Sequence, residues 1–159
     1  MIQIRDATPS DHEAMLSVAR ALPEWFTEQA FLQMARDFAV HQGLVAVHGG
    51  GVKEEVVGFA TWLRLPDSQE ANLAEITWLG VRPEWQGLGI GRRLVEVLAD
   101  RCRQNGVSVL QVSTLADTVD YAPYVGTRAF YRRLGFRDWR VDAAYYGPDA
   151  DRLLLRKEL

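Results

Sequence analysis

The sequence is poor in cysteine, lysine and histidine, and each shortage removes a class of chemistry. Its 159 residues contain one cysteine, Cys102, so no intrachain disulfide, redox pair or zinc knuckle can be built. A reducing, cytoplasmic setting is the expectation. The three histidines, His12, His41 and His48, show no metal-ligand spacing, and no metal is expected. No apolar run approaches the roughly 20 residues of a membrane span. The opening MIQIRDATPSD carries charges where a signal peptide needs its apolar stretch, so neither membrane association nor export is expected. A net charge of −3 argues against a nucleic-acid partner. What is present, 48% apolar and 25% charged residues, is the composition of a folded domain. The length fits a single domain over 1–159 and is too short for separate cofactor and substrate domains.

The net charge hides an asymmetry. Residues 1–80 carry 11 acidic and 5 basic side chains, whereas residues 81–159 carry 10 acidic and 13 basic ones. Only Lys53 and Lys157 among the 18 basic residues are lysines, so the second half is rich in arginine, the side chain suited to bidentate phosphate contact.

Residues 2–5 alternate apolar and polar and predict a strand. Thr8-Pro9-Ser10-Asp11 is helix-start chemistry for a helix over about 10–21, with Ala14, Leu16, Val18, Ala19 and Leu22 as an imperfect apolar stripe ended by Pro23. A second helix fits 27–40, with Thr27 as N-cap and Phe31, Leu32, Ala35, Phe38 and Ala39 as its apolar positions. Residues 44–47 and 56–65 then read as strands, joined through His48-Gly49-Gly50-Gly51 as a hairpin connection. Residues 66–72 form a polar loop, and 73–81 a third long strand in which Gly80 suggests a bulge or the close approach of a backbone or ligand. A helix over 89–105 buries Leu94, Val95, Leu98 and Cys102 and stops at Gly106. A strand at 107–113, a loop at 117–124, a short helix at 127–134 stopped by Gly135, and strands at 136–141 and 152–157 complete the chain. This order predicts an α/β (α+β) fold: a mixed, mostly antiparallel sheet of about six to seven strands flanked by about four helices.

The densest chemical signal is Gln86-Gly87-Leu88-Gly89-Ile90-Gly91, between a strand and a helix. Glycines at such a junction let backbone N–H groups turn toward one point, and the helix N-terminus adds partial positive charge, which makes an anion site suited to phosphate. The loop lacks the lysine and hydroxyl of a P-loop, and Arg92 stands where the dinucleotide fingerprint needs its last glycine.

This hexapeptide resembles the [QR]xxGxG signature of the GNAT superfamily of N-acetyltransferases. Leu79-Gly80-Val81-Arg82-Pro83-Glu84-Trp85 resembles that family's strand end and turn, and Ala129-Phe130-Tyr131-Arg132-Arg133-Leu134-Gly135-Phe136 its FYxxxGF segment. The opening Ile2-Gln3-Ile4-Arg5 with Thr8-Pro9-Ser10-Asp11 is also similar. The resemblance implies a GNAT-like fold and a loop, Gln86 to Gly91, that holds the pyrophosphate of acetyl-CoA, with Arg92 at a phosphate and Arg128 and Arg132 at the 3′-phosphate or adenine. It further implies that a backbone amide around Leu79, Gly80 and Val81 hydrogen-bonds the acetyl carbonyl, and that Tyr131 gives a proton to the leaving thiolate. Ala74-Glu75-Ile76 resembles the segment whose glutamate is a general base in the histone-acetylating branch, against the plain alternative of a solvated glutamate at a strand's start. Where the family often has an asparagine touching the pantetheine arm, this chain has Tyr124.

Acceptor sites in this superfamily are formed by the first two helices, the loop after the fifth strand and the C-terminal hairpin. Here those parts carry Trp25 and Phe26, Asp117, Asp120 and Tyr121, and Tyr145 and Tyr146. Aromatics beside carboxylates suit a cationic amine, although Trp25 and Phe26 fit a core role equally well. The expected partners are acetyl-CoA as cosubstrate and an amine acceptor, a small molecule or else a protein lysine or N-terminus. A homodimer is left open, as is a non-catalytic acyl-CoA-binding module. Cys102, on an apolar helix face, reads as core rather than as a nucleophile.

Overall fold

The computed structural model describes residues 1–49, 53–65 and 72–159. Along these run β1 (Ile2–Asp6), α1 (His12–Arg20), α2 (Glu28–Phe38), β2 (Gln42–His48), β3 (Glu55–Arg64), β4 (Leu73–Val81), α3 (Ile90–Gln104), β5 (Val109–Leu115), α4 (Pro123–Arg133), β6 (Arg137–Asp142) and β7 (Arg152–Glu158). The strands form one sheet in the order β1-β2-β3-β4-β5-β7-β6. β4 and β5 are parallel, from Leu73↔Val109 to Ile76↔Val112, and are joined through α3, because parallel neighbours need a long crossover. The β1–β2, β2–β3, β5–β7 and β6–β7 pairs are antiparallel. The expected mixed, mostly antiparallel sheet with four helices is therefore found. Gly50 and Gly51 of the expected hairpin connection, and positions 66–71 of the expected loop, lie outside the described residues.

The chain divides into two compact units, Met1–Leu63 with Thr77–Arg101, and Arg64–Ile76 with Cys102–Leu159. In the first, the turn before α1 is tied by Asp11, whose Oδ2 accepts from the Thr8 N–H at 2.7 Å while its carboxylate pairs with Arg5 at 2.8 and 2.9 Å. The Arg5 guanidinium holds the Asp11 carboxyl down at about 2. Thr27 caps α2 as expected, its Oγ1 accepting from the Ala30 N–H at 3.2 Å. The buried face of α2 differs from the expected one: it is Phe31, Met34 and Phe38, while Leu32, Ala35 and Ala39 are exposed. Positions 31, 34 and 38 recur at three- and four-residue steps and share a stripe, whereas Leu32 lies about 100° around the helix from Phe31. These side chains pack with Met15, Val18, Ala19 and Leu22 of α1 and its end against Val45, Val47, Val56 and Phe59 of the sheet. Each large apolar side chain so buried contributes roughly 1.5–3 kcal/mol.

In the second unit two strand starts fall later than the sequence predicts, for one shared reason. At the end of α3, Gly106 has φ +79°, its N–H donates to the Arg103 carbonyl at 3.1 Å, and the Val107 N–H reaches back to the Cys102 carbonyl at 2.9 Å. At the end of α4, Gly135 has φ +94°, its N–H donates to the Arg132 carbonyl and the Phe136 N–H to the Tyr131 carbonyl, each at 3.1 Å. Both are Schellman closures, which use the residue after the glycine to finish the helix. Val107 and Phe136 therefore belong to helix ends, and β5 and β6 begin at Val109 and Arg137. α4 itself starts at Pro123, four residues earlier than expected, because a proline at the first helical position needs no N–H partner. Tyr124 thus sits in a helix and not in the preceding loop.

Candidate active site

The glycine loop belongs to the first unit. Past β4, the Arg82 N–H donates to the Val57 carbonyl at 2.8 Å, a short 3₁₀ turn covers Pro83–Trp85, and Gln86 Nε2 donates to the Val81 carbonyl at 2.9 Å. Gln86 therefore ties the loop to the strand end through its side chain. Gly87 and Gly89 have φ +78° and +81°, and nothing lies within 4 Å of where either Cβ would stand. The need for glycine here is conformational: an L side chain in this region costs about 1–2 kcal/mol. The Arg93 N–H donates to the Gly89 carbonyl at 3.0 Å as α3 begins at Ile90. The first turn of α3, with Gly91 and Arg92, contains no acidic residue, so no carboxylate of that turn opposes an anion at its N–H groups. Arg92 is exposed and paired with Glu96 at 2.8 Å, and Leu88 is exposed.

Before the loop, Gly80 makes the close approach its sequence position suggested. A Cβ there would lie 3.0 Å from the Phe59 ring, and a Cβ at Gly58 would lie 3.1 Å from the Gly80 carbonyl oxygen. The neighbours of Gly80 are thus a core ring and the backbone of β3. Trp25 and Phe26 are half-buried against the core of this unit, and Phe26 meets the Trp78 ring edge-on at 5.9 Å. Trp78 donates its indole N–H to Asp37 Oδ2 at 2.8 Å. A cavity of about 180 Å³ in the same unit is lined by His12, Met15, Phe38, His41 and Thr61 among others. His41 Nδ1 lies 3.0 Å from Thr77 Oγ1, itself 2.7 Å from Thr61 Oγ1. Nothing in the spacing of these residues in the sequence announces this network.

The second unit holds the candidate acid and base. Glu75 on β4 is half-buried, and its Oε1 accepts from Gln111 Nε2 at 2.9 Å and from Ser113 Oγ at 3.3 Å. It is not a solvated strand end. Gln111 in turn accepts from Arg156 Nε at 2.9 Å. Sequence reasoning missed Gln111, Ser113 and Arg156, since only the β4–β5–β7 register brings them to Glu75. The Tyr146 phenol is held above its ordinary range by partial burial and by its neighbours Tyr124, Tyr145 and Glu75. Tyr131 is buried between Phe130 and Phe136, with ring centroids at 5.1 and 5.4 Å, and burial pushes its phenol well above the ordinary range. Tyr124, half-buried and 6.0 Å from the Tyr121 ring, is raised by burial and by Tyr121.

Arg128, expected at a cofactor phosphate, is buried and faces the chain's own groups: its Nη1 donates to the Leu115 carbonyl at 2.8 Å and its Nε pairs with Asp117 at 3.2 Å. Asp117 also takes Arg132 at 3.0 Å, which in turn holds Asp138 at 2.8 Å. The Arg132 hydrogen bond keeps the Asp117 carboxyl below the usual range. Asp117, Arg128 and Arg132 therefore brace the segment between β5 and α4, and the Asp117 charge is compensated by arginine. Cys102 is buried and its thiol is pushed up to about 11 by burial. Among the described residues no group of three or more His, Cys, Asp or Glu side chains is arranged to hold a metal ion, and no helix is long and apolar enough to cross a membrane.

Known proteins resemble the chain at both levels. The profile of the acetyltransferase (GNAT) family matches residues 7–136. A mycothiol acetyltransferase from Nocardia farcinica is 29% identical over 147 residues, 87% of this chain and 46% of that protein. N-alpha-acetyltransferase RimI from Mycobacterium tuberculosis is 35% identical over 113 residues, 69% of this chain and 63% of that protein. The chain thus spans less than two thirds of the length of these relatives. Among solved structures, a protein described as of the GNAT family from Desulfovibrio desulfuricans superposes with a TM-score of 0.83 at 22% identity, over 99% of both chains. An aminoglycoside 6′-N-acetyltransferase complexed with coenzyme A superposes with a TM-score of 0.71 at 18% identity, over 98% of this chain and 96% of that one.

Proposed function

Because the chain belongs to the acetyltransferase (GNAT) family, we propose that it is an acetyl-CoA-dependent N-acetyltransferase that moves an acetyl group to the primary amine of a small molecule by direct attack. The observation that carries this reading is the glycine loop. Gly87 and Gly89 hold left-handed backbone with open space above them, and they lead into a helix whose first turn has no carboxylate. That donor set fits a pyrophosphate, which the backbone of Gln86, Gly87, Leu88, Gly89, Ile90 and Gly91 would hold with Arg92. When bound, acetyl-CoA supplies an acetyl group already activated as a thioester.

The remaining work falls to side chains of the protein. An alkyl ammonium with a pKa of about 10.4 must lose a proton before it can attack, at a cost of about 4–5 kcal/mol at neutral pH. Glu75, held at Oε1 by Gln111 and Ser113, is the group assigned to take that proton. Tyr131 holds a proton at Oη for the departing sulfur. Its burial keeps the phenol protonated and also makes it a weaker acid than a free tyrosine, so hydrogen-bond donation to the sulfur is the larger part of its role. A backbone N–H near Leu79, Gly80 and Val81 would polarise the acetyl carbonyl.

The acceptor is tested by a panel assay that reads CoA thiol released from acetyl-CoA with a polyamine, an aminoglycoside, an aryl ethylamine, a lysine peptide and a peptide with a free N-terminal alanine. Turnover with a small amine and none with the peptides is expected. The similarity to N-alpha-acetyltransferase RimI favours the peptide with a free N-terminus as the second reading, and turnover confined to it would replace the first. CoA binding with no thiol release from any acceptor would favour an acyl-CoA-binding module.

A further inference from the structure

Four side chains from four strands stand in one row across the second unit. Glu75 on β4 is in register with Gln111 on β5, and Gln111 with Arg156 on β7. Gln111 Nε2 donates to Glu75 Oε1 at 2.9 Å, and Arg156 Nε donates to Gln111 Oε1 at 2.9 Å. The Arg156 guanidinium carbon in turn lies 3.4 Å from the centre of the Trp139 ring on β6, and that of Arg140 lies 4.7 Å from it.

The order of these partners leaves the amide one orientation. A guanidinium can only donate, so it takes the amide oxygen and turns the NH₂ group toward Glu75. The NH₂ group can only donate, and Glu75 Oε1 is the acceptor it faces. Gln111 is buried, where a turned amide would set donor against donor and oxygen against oxygen without water to relieve either contact. Ser113 donates to the same Oε1. Both described hydrogen bonds of Glu75 fall on that oxygen, and among the described residues none falls on Oε2. One carboxylate oxygen is anchored and the other is presented.

We infer that Gln111 and Arg156 are positioning residues that orient Glu75 as a proton acceptor, with Trp139 holding the guanidinium in plane. This rests on the reading of Glu75 as the base. Neither residue needs to touch substrate: Arg156 acts through Gln111, and Gln111 through the carboxylate.

The test uses the chain with acetyl-CoA and the panel amine it acetylates fastest. Gln111→Leu and Arg156→Met are each expected to lower kcat roughly tenfold, short of the roughly 10²–10⁴-fold that a general base contributes. KM for acetyl-CoA stays within about twofold, because the lost interaction acts on the chemical step. Arg156→Lys, which keeps the charge and a donor, recovers part of the loss. In a Glu75→Gln background, Gln111→Leu is expected to cost less than about twofold, since groups acting as a unit are not additive. Losses that multiply independently in the two backgrounds overturn the positioning role and leave Glu75 as base. Unchanged turnover in Glu75→Gln alone removes the base and, with it, this inference. A second measurement needs no amine substrate: the side-chain amide NMR signals of Gln111 should shift and lose protection from exchange in both Arg156→Met and Glu75→Leu, which remove its donor and its acceptor in turn. Unchanged signals in either variant overturn the row.

Discussion

Gly80 lies flush against the Phe59 ring, so that a Cβ at position 80 would stand 3.0 Å from ring atom Cε1 and 3.2 Å from Leu22 Cδ1. Phe59 is fully buried and Leu22 nearly so, and neither can yield into solvent. Gly80→Val is expected to overpack this contact at a cost of about 1–3 kcal/mol, and Gly80→Ala at the low end of that range. For a chain of this size each kcal/mol lowers Tm by roughly 2–4 °C. Scanning calorimetry of the two variants measures it, and an unchanged Tm in Gly80→Val would show that the ring gives way freely.

The glycine loop makes the opposite prediction about space. No atom lies within 4 Å of a Cβ at Gly89, whose φ is +81°, so Gly89→Ala carries only a backbone cost of about 1–2 kcal/mol. Loss of the left-handed turn should nevertheless redirect the N–H groups and weaken CoA binding at least about tenfold, equivalent to about 1.4 kcal/mol. Isothermal titration with CoA decides the matter; an unaltered Kd removes the pyrophosphate assignment.

Tyr131→Phe keeps the ring between Phe130 and Phe136 and deletes only the hydroxyl. The fold and CoA affinity should survive, while turnover falls on the order of 10²-fold, as for loss of a general acid. Thiol-release kinetics beside a CoA titration separate the two effects, and wild-type turnover in the variant ends the proton-donor role.

The Arg5–Asp11 pair sets an acid limit on stability. Its carboxyl is held at about 2 against an ordinary 3.8, so the folded chain binds this proton less tightly than the unfolded one. The resulting stabilisation, about 2 kcal/mol, is full above pH ~4 and is lost as pH falls through about 2. Urea unfolding of wild type and Asp11→Asn should differ by a constant amount from pH 5 to 8. That gap should close below pH ~4, and a gap independent of pH down to 2 would contradict the assignment.

Cys102, buried with its thiol at about 11, should resist iodoacetamide in the native state and react only on unfolding. Mass spectrometry of the treated protein is the check, with Cys102→Ala expected to retain full turnover; rapid native alkylation would place the thiol on the surface.

Much of this architecture was legible in the residues, and the failures share physical causes. The strands over 2–5, 56–65 and 73–81 and the helix over 89–105 follow from periodicity and are found with small shifts at their ends. The ends of α3 and α4 were readable from Gly106 and Gly135, but the residue that each Schellman closure recruits was not, which displaced the expected starts of β5 and β6. On α2 the apolar composition pointed to Leu32, while the seven-residue spacing of Phe31 and Phe38 selects Met34. At the candidate site, Glu75 and Tyr131 could be named as single positions from the sequence. Gln111, Ser113 and Arg156 were not, because their relation to Glu75 exists only once three strands lie in register. Arg128 shows the converse limit: a long basic side chain expected at a phosphate turns inward, toward carbonyls that no linear pattern marks.

β6 ends the sheet and is exposed along Arg137–Val141, with Trp139 and Val141 among its outward side chains. An open strand edge of this kind is a template on which another chain can add. Arg137, Asp138, Arg140 and Asp142 place four charges in six residues, and the register shift between Asp138 and Arg140 bends the ladder beside Trp139. Charge and bend together make strand addition costly. The protein can therefore display an aromatic ring at a sheet margin, stacked on Arg156, while staying resistant to edge-driven aggregation.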